Sequence, residues 1–322
     1  MIPKRTLGRS GIEVSELALG TWGLSGDGYG AVSASEQDAV IDRALALGVT
    51  LVETAASYAK GAMEKRLGER LGDSSDVIVV TKWGTDLGSK PVRKRFDREF
   101  LEQSFEGSRE RLRRNVLDVG LLHNPSVAAV KNGEAPALLQ QWVNDGKLRA
   151  WGISAGDADV VKAALELPEP PQVIELAFNI FFQSDLRTLR ADLKIKEVGV
   201  LARSVLSHGL LAGMWPTDKT FAPEDHRSHR WNPDQLRRRI NQTRVLRTLR
   251  SGNIPSMRAA AIAYALDHDV ISSAVLGPRD VVQVDQLLRE VPKQAPYIDP
   301  RARETFDTQI LKMGIISSLG TG

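Results

Sequence analysis

Four residues in the first half of the chain, Glu53, Tyr58, Lys82 and His123, carry side chains suited to moving one proton onto a carbonyl oxygen. Glu53, Lys82 and His123 each end a short apolar, β-branched run (50–53, 77–82 and 117–123), and Tyr58 follows Glu53 by five residues. A phenol with an ordinary pKa of about 10 is a poor acid at neutral pH. A neighbouring ammonium favours the phenolate and is expected to bring that value down. A carboxylate beside the ammonium keeps it charged and oriented, and a neutral imidazole holds the carbonyl oxygen in place. The set lacks an obvious nucleophile, so reduction of the carbonyl needs a hydride from elsewhere, which points to a nicotinamide.

Such an arrangement requires three strand ends to lie side by side, about 4.8 Å apart. The chain supplies the elements. Runs at 17–20, 50–53, 77–82, 117–123, 150–154, 173–177, 198–203 and 272–276 read as strands. Between and after them, amphipathic stretches at 36–47, 63–71, 98–112, 135–145, 158–167, 186–193, 257–267 and 281–290 read as helices. Strict alternation demands parallel strands joined by crossover helices, and a count of eight favours a closed (β/α)8 TIM barrel over an open doubly wound sheet. No composition shift or linker divides the chain, so residues 1–322 are read as one barrel domain. Residues 4–15 look like an N-terminal hairpin able to plug the barrel floor. The long stretch 206–255 after strand seven is expected to carry its own helix around 235–250.

Barrel chemistry sits where the strands end at their C-terminal side, and the remaining strand ends supply a cofactor groove. Strand five ends in Ser154 and strand six passes Glu175. Strand seven runs into a Gly-bearing loop containing Arg203, Ser204, Val205, Leu206, Gly209 and Gly213, whose N–H groups suit a pyrophosphate. Strand eight is followed by Gly277, Arg279 and Gln283 at a helix start, an anion site whose guanidinium suits a 2′-phosphate. No Rossmann GxGxxG follows any strand. Trp22, Trp83, Trp215 and Trp231 fall in rim loops and are read as an aromatic substrate pocket, with Asn124 beside His123.

Composition narrows the alternatives. The chain has 43 Lys plus Arg against 40 Asp plus Glu, a net charge of +3 too small and dispersed to indicate nucleic acid. With no Cys there is no disulfide, thiolate metal site or Cys nucleophile. No metal cage is visible among the five His. The start of the chain lacks a secretory apolar segment, and no window reaches 18 apolar residues, so a cytoplasmic protein without a membrane span is expected. Nothing in the sequence fixes an oligomeric state. The Arg-rich stretch from Arg227 to Arg250 reads as a solvated helix face or as a flap that recruits anions.

These motifs, in this order, resemble the aldo-keto reductase family over essentially the full chain. Arg5-Thr6-Leu7-Gly8-Arg9-Ser10-Gly11 is similar to the family's N-terminal hairpin. Gly20-Thr21-Trp22 is similar to its first, cofactor-side barrel loop, and Glu53-Thr54-Ala55-Ala56-Ser57-Tyr58 to its Asp-Thr-Ala…Tyr motif. Val80-Thr81-Lys82 and Leu121-Leu122-His123 are similar to its lysine and histidine strands. The resemblance implies NADPH-dependent reduction of an aldehyde, ketone or keto-sugar. Tyr58 would be the general acid, Lys82 would lower its pKa and His123 would orient the small-molecule carbonyl substrate. The chain departs from the pattern at Glu53 (for Asp), Ala155 (for Asn), Glu175 (for Gln), Phe178 (for Tyr), Arg203 (for a stacking aromatic), and Gln286 and Leu287 (for Glu-Asn). The altered carboxamide contacts keep a second reading open, a nicotinamide-binding protein with little redox turnover. A third is a Schiff-base lyase using Lys82.

Overall fold

The computed structural model describes residues 2–315. Eight parallel strands close into a barrel: β1 Leu17–Gly20, β2 Leu51–Glu53, β3 Ile78–Trp83, β4 Leu117–His123, β5 Leu148–Ser154, β6 Val173–Ala177, β7 Gly199–Arg203 and β8 Ile271–Leu276. Crossover helices alternate with them: α1 Ala34–Ala46, α2 Ala62–Leu71, α3 Arg98–Leu112, α4 Glu134–Asn144, α5 Ala158–Leu165, α6 Ser184–Ile195 and α7 Met257–Leu266, with α8 Val281–Arg289 following β8. The (β/α)8 TIM barrel expected from the alternation is the observed fold.

Side chains alternate across a strand, and this period divides the core into two layers. Ala18, Leu51, Ile78, Val80, Val119, Leu121, Ala150, Val173 and Leu201 fill the barrel interior. Val52, Val79, Leu122, Trp151, Ile153, Ile174 and Val200, from the alternate positions, pack outward against the helices. The N-terminal hairpin, strands Lys4–Thr6 and Glu13–Ser15, adds Leu7, Ile12 and Val14 to the interior layer and so closes the floor. Arg5 fastens it, donating to Glu16 and to the carbonyls of Leu266 and Ile271.

Three pieces lie outside the simple repeat. A two-stranded sheet pairs Thr85–Asp86 with Arg93–Lys94 after β3. The segment after β7 contains helix Pro233–Thr243, started by an Asn232–Gln235 capping box and Pro233, then a 3-10 turn Arg244–Leu249. A final helix, Pro300–Lys312, buries Phe306 and Ile310 and was not anticipated from the sequence. No helix among the described residues is long and apolar enough to cross a membrane.

Candidate active site

Because the interior layer follows a period of two, the next inward position of each strand forms a ring at its C-terminal end. Counting up from Leu51, Val80, Leu121, Val173 and Leu201 gives Glu53, Lys82, His123, Glu175 and Arg203. Register places Gly20 beside Glu53 and His123 beside Ser154, with Glu175 on the far side of Ser154. Side chains from six of the eight strands, with the bare backbone of Gly20 from a seventh, thus form the floor of the site.

Tyr58 joins the ring through its loop. Backbone amides of Thr54 and Ala56 donate to Val80 O and Lys82 O, continuing the ladder beyond β2, and Tyr58 N–H closes a turn on Ala55 O. The next two residues, Ala59 and Lys60, take left-handed backbone conformations (φ 48° and 55°), and Asp27 Oδ2 accepts from Ala59 N–H at 2.8 Å. The chain is turned so that the phenol hangs over β3. Lys82 Nζ donates to Tyr58 OH at 3.2 Å, and the phenol donates to Glu53 Oε1 at 3.3 Å. Lys82, 1% exposed, also pairs with the Glu53 carboxylate, donates to Thr54 O at 2.9 Å and lies 3.5 Å from Glu175 Oε2. The His123 ring stands edge-on to that of Tyr58, with centroids 6.2 Å apart.

The electrostatics correct one expectation. Lys82 does not bring the phenol pKa down: burial pushes Tyr58 well up, the Glu175 carboxylate adds to the rise, and Arg203 only partly opposes it. Burial also lowers the Lys82 ammonium to about 8, despite the pull of Glu175. The imidazole of His123 is held far below its usual range by burial and by Lys82, Lys94 and Arg203. A neutral imidazole and a protonated phenol are therefore the resting forms. Nδ1 of His123 and Oε2 of Glu175 are buried without a hydrogen-bond partner.

Above this floor opens a cavity of about 970 Å³, within the range of ligand sites. Glu53, Tyr58, His123 and Asn124 line it, as do Gly20, Trp22, Ser154, Glu175, Arg203, Ser204, Val205, Leu206, Gly209, Gly277, Arg279 and Gln283. Trp22 stands edge-on to Tyr29 and His226 at its mouth.

Four expected residues lie elsewhere. Trp83 follows inward-pointing Lys82, so it faces the helices, packing on Phe105 and Trp142 and donating Nε1–H to Ser108. Trp231 packs on Trp215 and Phe221, away from the cavity wall. Thr21 is buried behind the rim, its amide on Glu53 O. Gly213 (φ 75°) caps the turn after β7 against Met257 rather than facing the groove. The helix start after β8 is also less open than expected. Asp280 caps it, accepting from Gln283 N–H, and Arg279 donates to the carbonyls of Gly23, Gly30 and Ala31. Arg279 thereby clamps the loop after β1 over the groove.

The cavity also recruits residues that the strand-end reading missed: Asp27, Tyr29, Lys60, Lys94 and Arg258. Loops and short irregular pieces carry most of them, and no periodicity marks those. In the Arg-rich stretch, Arg227 and Arg230 line the cavity, whereas Arg237, Arg238, Arg244, Arg247 and Arg250 are exposed. Arg227 pairs with Asp225 and lies over the rings of Tyr29 and Phe221 (4.8 and 4.7 Å).

The same fold occurs in known proteins. Residues 16–297 match the model of the Aldo/keto reductase family. Aldo-keto reductase YhdN of Bacillus subtilis is 26% identical over 86% of this chain and 85% of its own length. A probable voltage-gated potassium channel subunit beta of Oryza sativa subsp. japonica is 27% identical over 91% and 93%. Among solved structures, the glycerol dehydrogenase AKR11B4 of Gluconobacter oxydans superposes with a TM-score of 0.81 at 24% identity, covering 96% of this chain and 94% of that one. The holo form of aldo-keto reductase AKR11C1 of Bacillus halodurans gives 0.77 at 22%, covering 97% and 96%. With the family match spanning the barrel from β1 to beyond α8, this chain belongs to the aldo/keto reductase family.

Proposed function

We propose that the protein is an NADPH-dependent oxidoreductase that reduces the carbonyl group of a small molecule, with Tyr58 as the general acid. The observation that carries this reading is the phenol held between Lys82 Nζ (3.2 Å) and Glu53 Oε1 (3.3 Å), beside His123, on the wall of a large cavity. The residues fit a nicotinamide dinucleotide. Glu175 Oε2 is a buried acceptor that makes no hydrogen bond, its one ionic neighbour being Lys82 Nζ at 3.5 Å, and it suits the amide N–H2 of a carboxamide. The β7 loop and Gly277 bring backbone to the groove, and Arg203, Arg230 and Arg279 give it positive charge. Bound NADPH supplies a hydride to the carbonyl carbon.

The chain's own groups handle the proton. Neutral His123 donates to the substrate oxygen and fixes its direction. The Tyr58 O–H turns from Glu53 to that oxygen and delivers its proton there. Lys82 then stabilises the phenolate left behind, which matters more here because the phenol is buried and reluctant to ionise. Glu53 holds the ammonium in place. No long general-base chain or extra nucleophile is required.

Two titrations and one variant test the reading. Fluorescence titration is expected to show NADP⁺ bound more tightly than NAD⁺. Tyr58→Phe should retain cofactor binding while its kcat for an aldehyde panel drops by about 10³-fold or more. Undiminished turnover in the variant removes Tyr58 from the mechanism. Tight NADP⁺ binding without turnover of any carbonyl would favour a binding protein, the reading kept open by the altered carboxamide contacts. Borohydride trapping of a Lys82 adduct would favour the lyase.

A further inference from the structure

The wall of the cavity opposite the dinucleotide groove carries cations that no carboxylate balances. In the closed order β6-β7-β8-β1-β2-β3-β4-β5, the β3–β4 side lies across the barrel from β7 and β8. Lys60 and Lys94 line the cavity on that side, and neither forms an ion pair among the described residues. Lys94 sits in the small sheet after β3, opposite Thr85 in register. Its Nζ is fixed by two neutral acceptors, Thr85 Oγ1 at 2.7 Å and the carbonyl of His123 at 2.8 Å. The acid of the same sheet, Asp86, faces Arg93 and Arg95 instead, at 3.6 and 4.0 Å. An ammonium offers three N–H groups, so one donor remains for a ligand.

Lys94 is exposed at the cavity rim, where its ammonium is open to a ligand as well as to water. Partial desolvation at the rim brings Lys94 down to about 8, with no carboxylate near enough to raise it. A bound anion would restore the balance and make a charge-assisted hydrogen bond to the pre-positioned Nζ. The position is specific: Lys94 holds the backbone of the residue whose ring stands against Tyr58. Lys60 lies two residues beyond Tyr58 on the left-handed turn.

We propose that Lys94, aided by Lys60, forms an anion subsite that selects carbonyl substrates bearing a carboxylate or phosphate a few bonds from the reacting carbon. The proposal rests on the reductase reading above and deepens it to a substrate class. The cofactor's phosphates belong to the other side, where Arg203 and Arg279 lie.

The experiment compares matched pairs, succinic semialdehyde against butyraldehyde and glycolaldehyde phosphate against glycolaldehyde. In at least one pair the anionic member should have the higher kcat/KM, by about tenfold at low salt. The pair that shows it separates carboxylate from phosphate. The preference should collapse towards unity in Lys94→Met and in Lys94→Gln, which keeps an N–H2 group for Thr85 and His123 O, and should fall as pH rises through about 8. Equal rates within both pairs, or a preference that survives both variants, overturn the subsite. Calorimetric titration with inorganic phosphate at saturating NADP⁺ judges it independently of turnover. Binding weakened about tenfold or more in Lys94→Gln supports it, and equal binding overturns it. Failure to reduce any carbonyl while that phosphate site persists counts against the reductase reading alone.

Discussion

The ammonium of Lys82 lies 3.5 Å from Oε2 of Glu175 while it also pairs with Glu53, so one buried cation is shared by two buried carboxylates. Arg203, whose Nε is 3.7 Å from Glu175 Oε1, supplies the second positive charge. The four groups form a chain of alternating sign, Glu53–Lys82–Glu175–Arg203, whose Glu53 and Lys82 members both touch the phenol. This chain decides how readily the phenol gives up its proton, because the two carboxylates share the positive charge of the ammonium that already donates to the phenol oxygen.

The first prediction concerns pH. Lys82 is charged below about 8 and neutral above it. The phenol stays protonated through that range. Reduction should therefore be flat through neutrality and decline above about pH 8, as the cation that receives the phenolate is lost. Glu175 raises the pKa of both Lys82 and Tyr58. Removing its charge in Glu175→Gln should move the alkaline limb of kcat/KM down, by about 0.5–1 pH unit. A limb that stays in place or moves up would show that Glu175 does not couple to the proton-transfer groups.

Much of this site was legible in the sequence because the residues that end β2, β4 and β7, and Lys82 just before the end of β3, are polar interruptions of apolar runs, and β6 holds Glu175 within one. An acid, an amine or an imidazole is costly there unless chemistry or pairing retains it. The error over Trp83 came from reading the strand end as a loop. Since Ile78 and Val80 point inward, Lys82 must as well, and the period of two sends Trp83 outward. The period was available and was not applied. Lys94 and Tyr29 were not legible, because a two-residue strand and an irregular loop leave no pattern. The high phenol pKa could not be read either, since it depends on how far Tyr58 is buried and on Glu175 reaching the same space.

Glu53 gives a second prediction. Both of its catalytic contacts, to Lys82 and to Tyr58, are made through one oxygen, Oε1. A side chain one methylene shorter, on a strand fixed by its register to β3, withdraws that oxygen by more than about 1 Å from both partners. Glu53→Asp should lower kcat by about tenfold or more with little change in KM for the carbonyl. A rise in kcat would mean that the longer side chain is a defect of positioning rather than part of it.

Trp83 leads to a third. It is 1% exposed, packed among Phe105 and Trp142, and its ring occupies the space left by Gly120, where a Cβ would lie 2.3 Å from Cζ3. Truncation leaves a cavity and removes the shorter of the two hydrogen bonds that the Ser108 hydroxyl accepts, leaving that from Arg111. Trp83→Ala should lose about 3–5 kcal/mol in urea unfolding. KM for neutral aldehydes in the folded fraction should change less than about twofold, because the ring is separated from the cavity by the strand itself. A selective loss of substrate affinity at unchanged stability would return Trp83 to the pocket.

Acid stability provides the fourth. His123, His208, His226 and His268 are all held below their usual pKa, chiefly by burial, with His208 at about 2, His268 at about 3 and His226 at about 4. The folded protein keeps them neutral, whereas the unfolded chain protonates them near 6.5. Below that pH the unfolded state binds more protons, so stability falls as pH falls, and above it these residues contribute no slope. Four such groups give a limiting slope of up to about 5 kcal/mol per pH unit. The window from pH 6.5 to 5 isolates them from most carboxylates, which titrate lower. Urea midpoints measured across that window should drop steeply, and His268→Gln should reduce the slope by about a quarter. A flat profile, or an unchanged slope in the variant, would mean that these imidazoles take up protons in the folded state despite their burial.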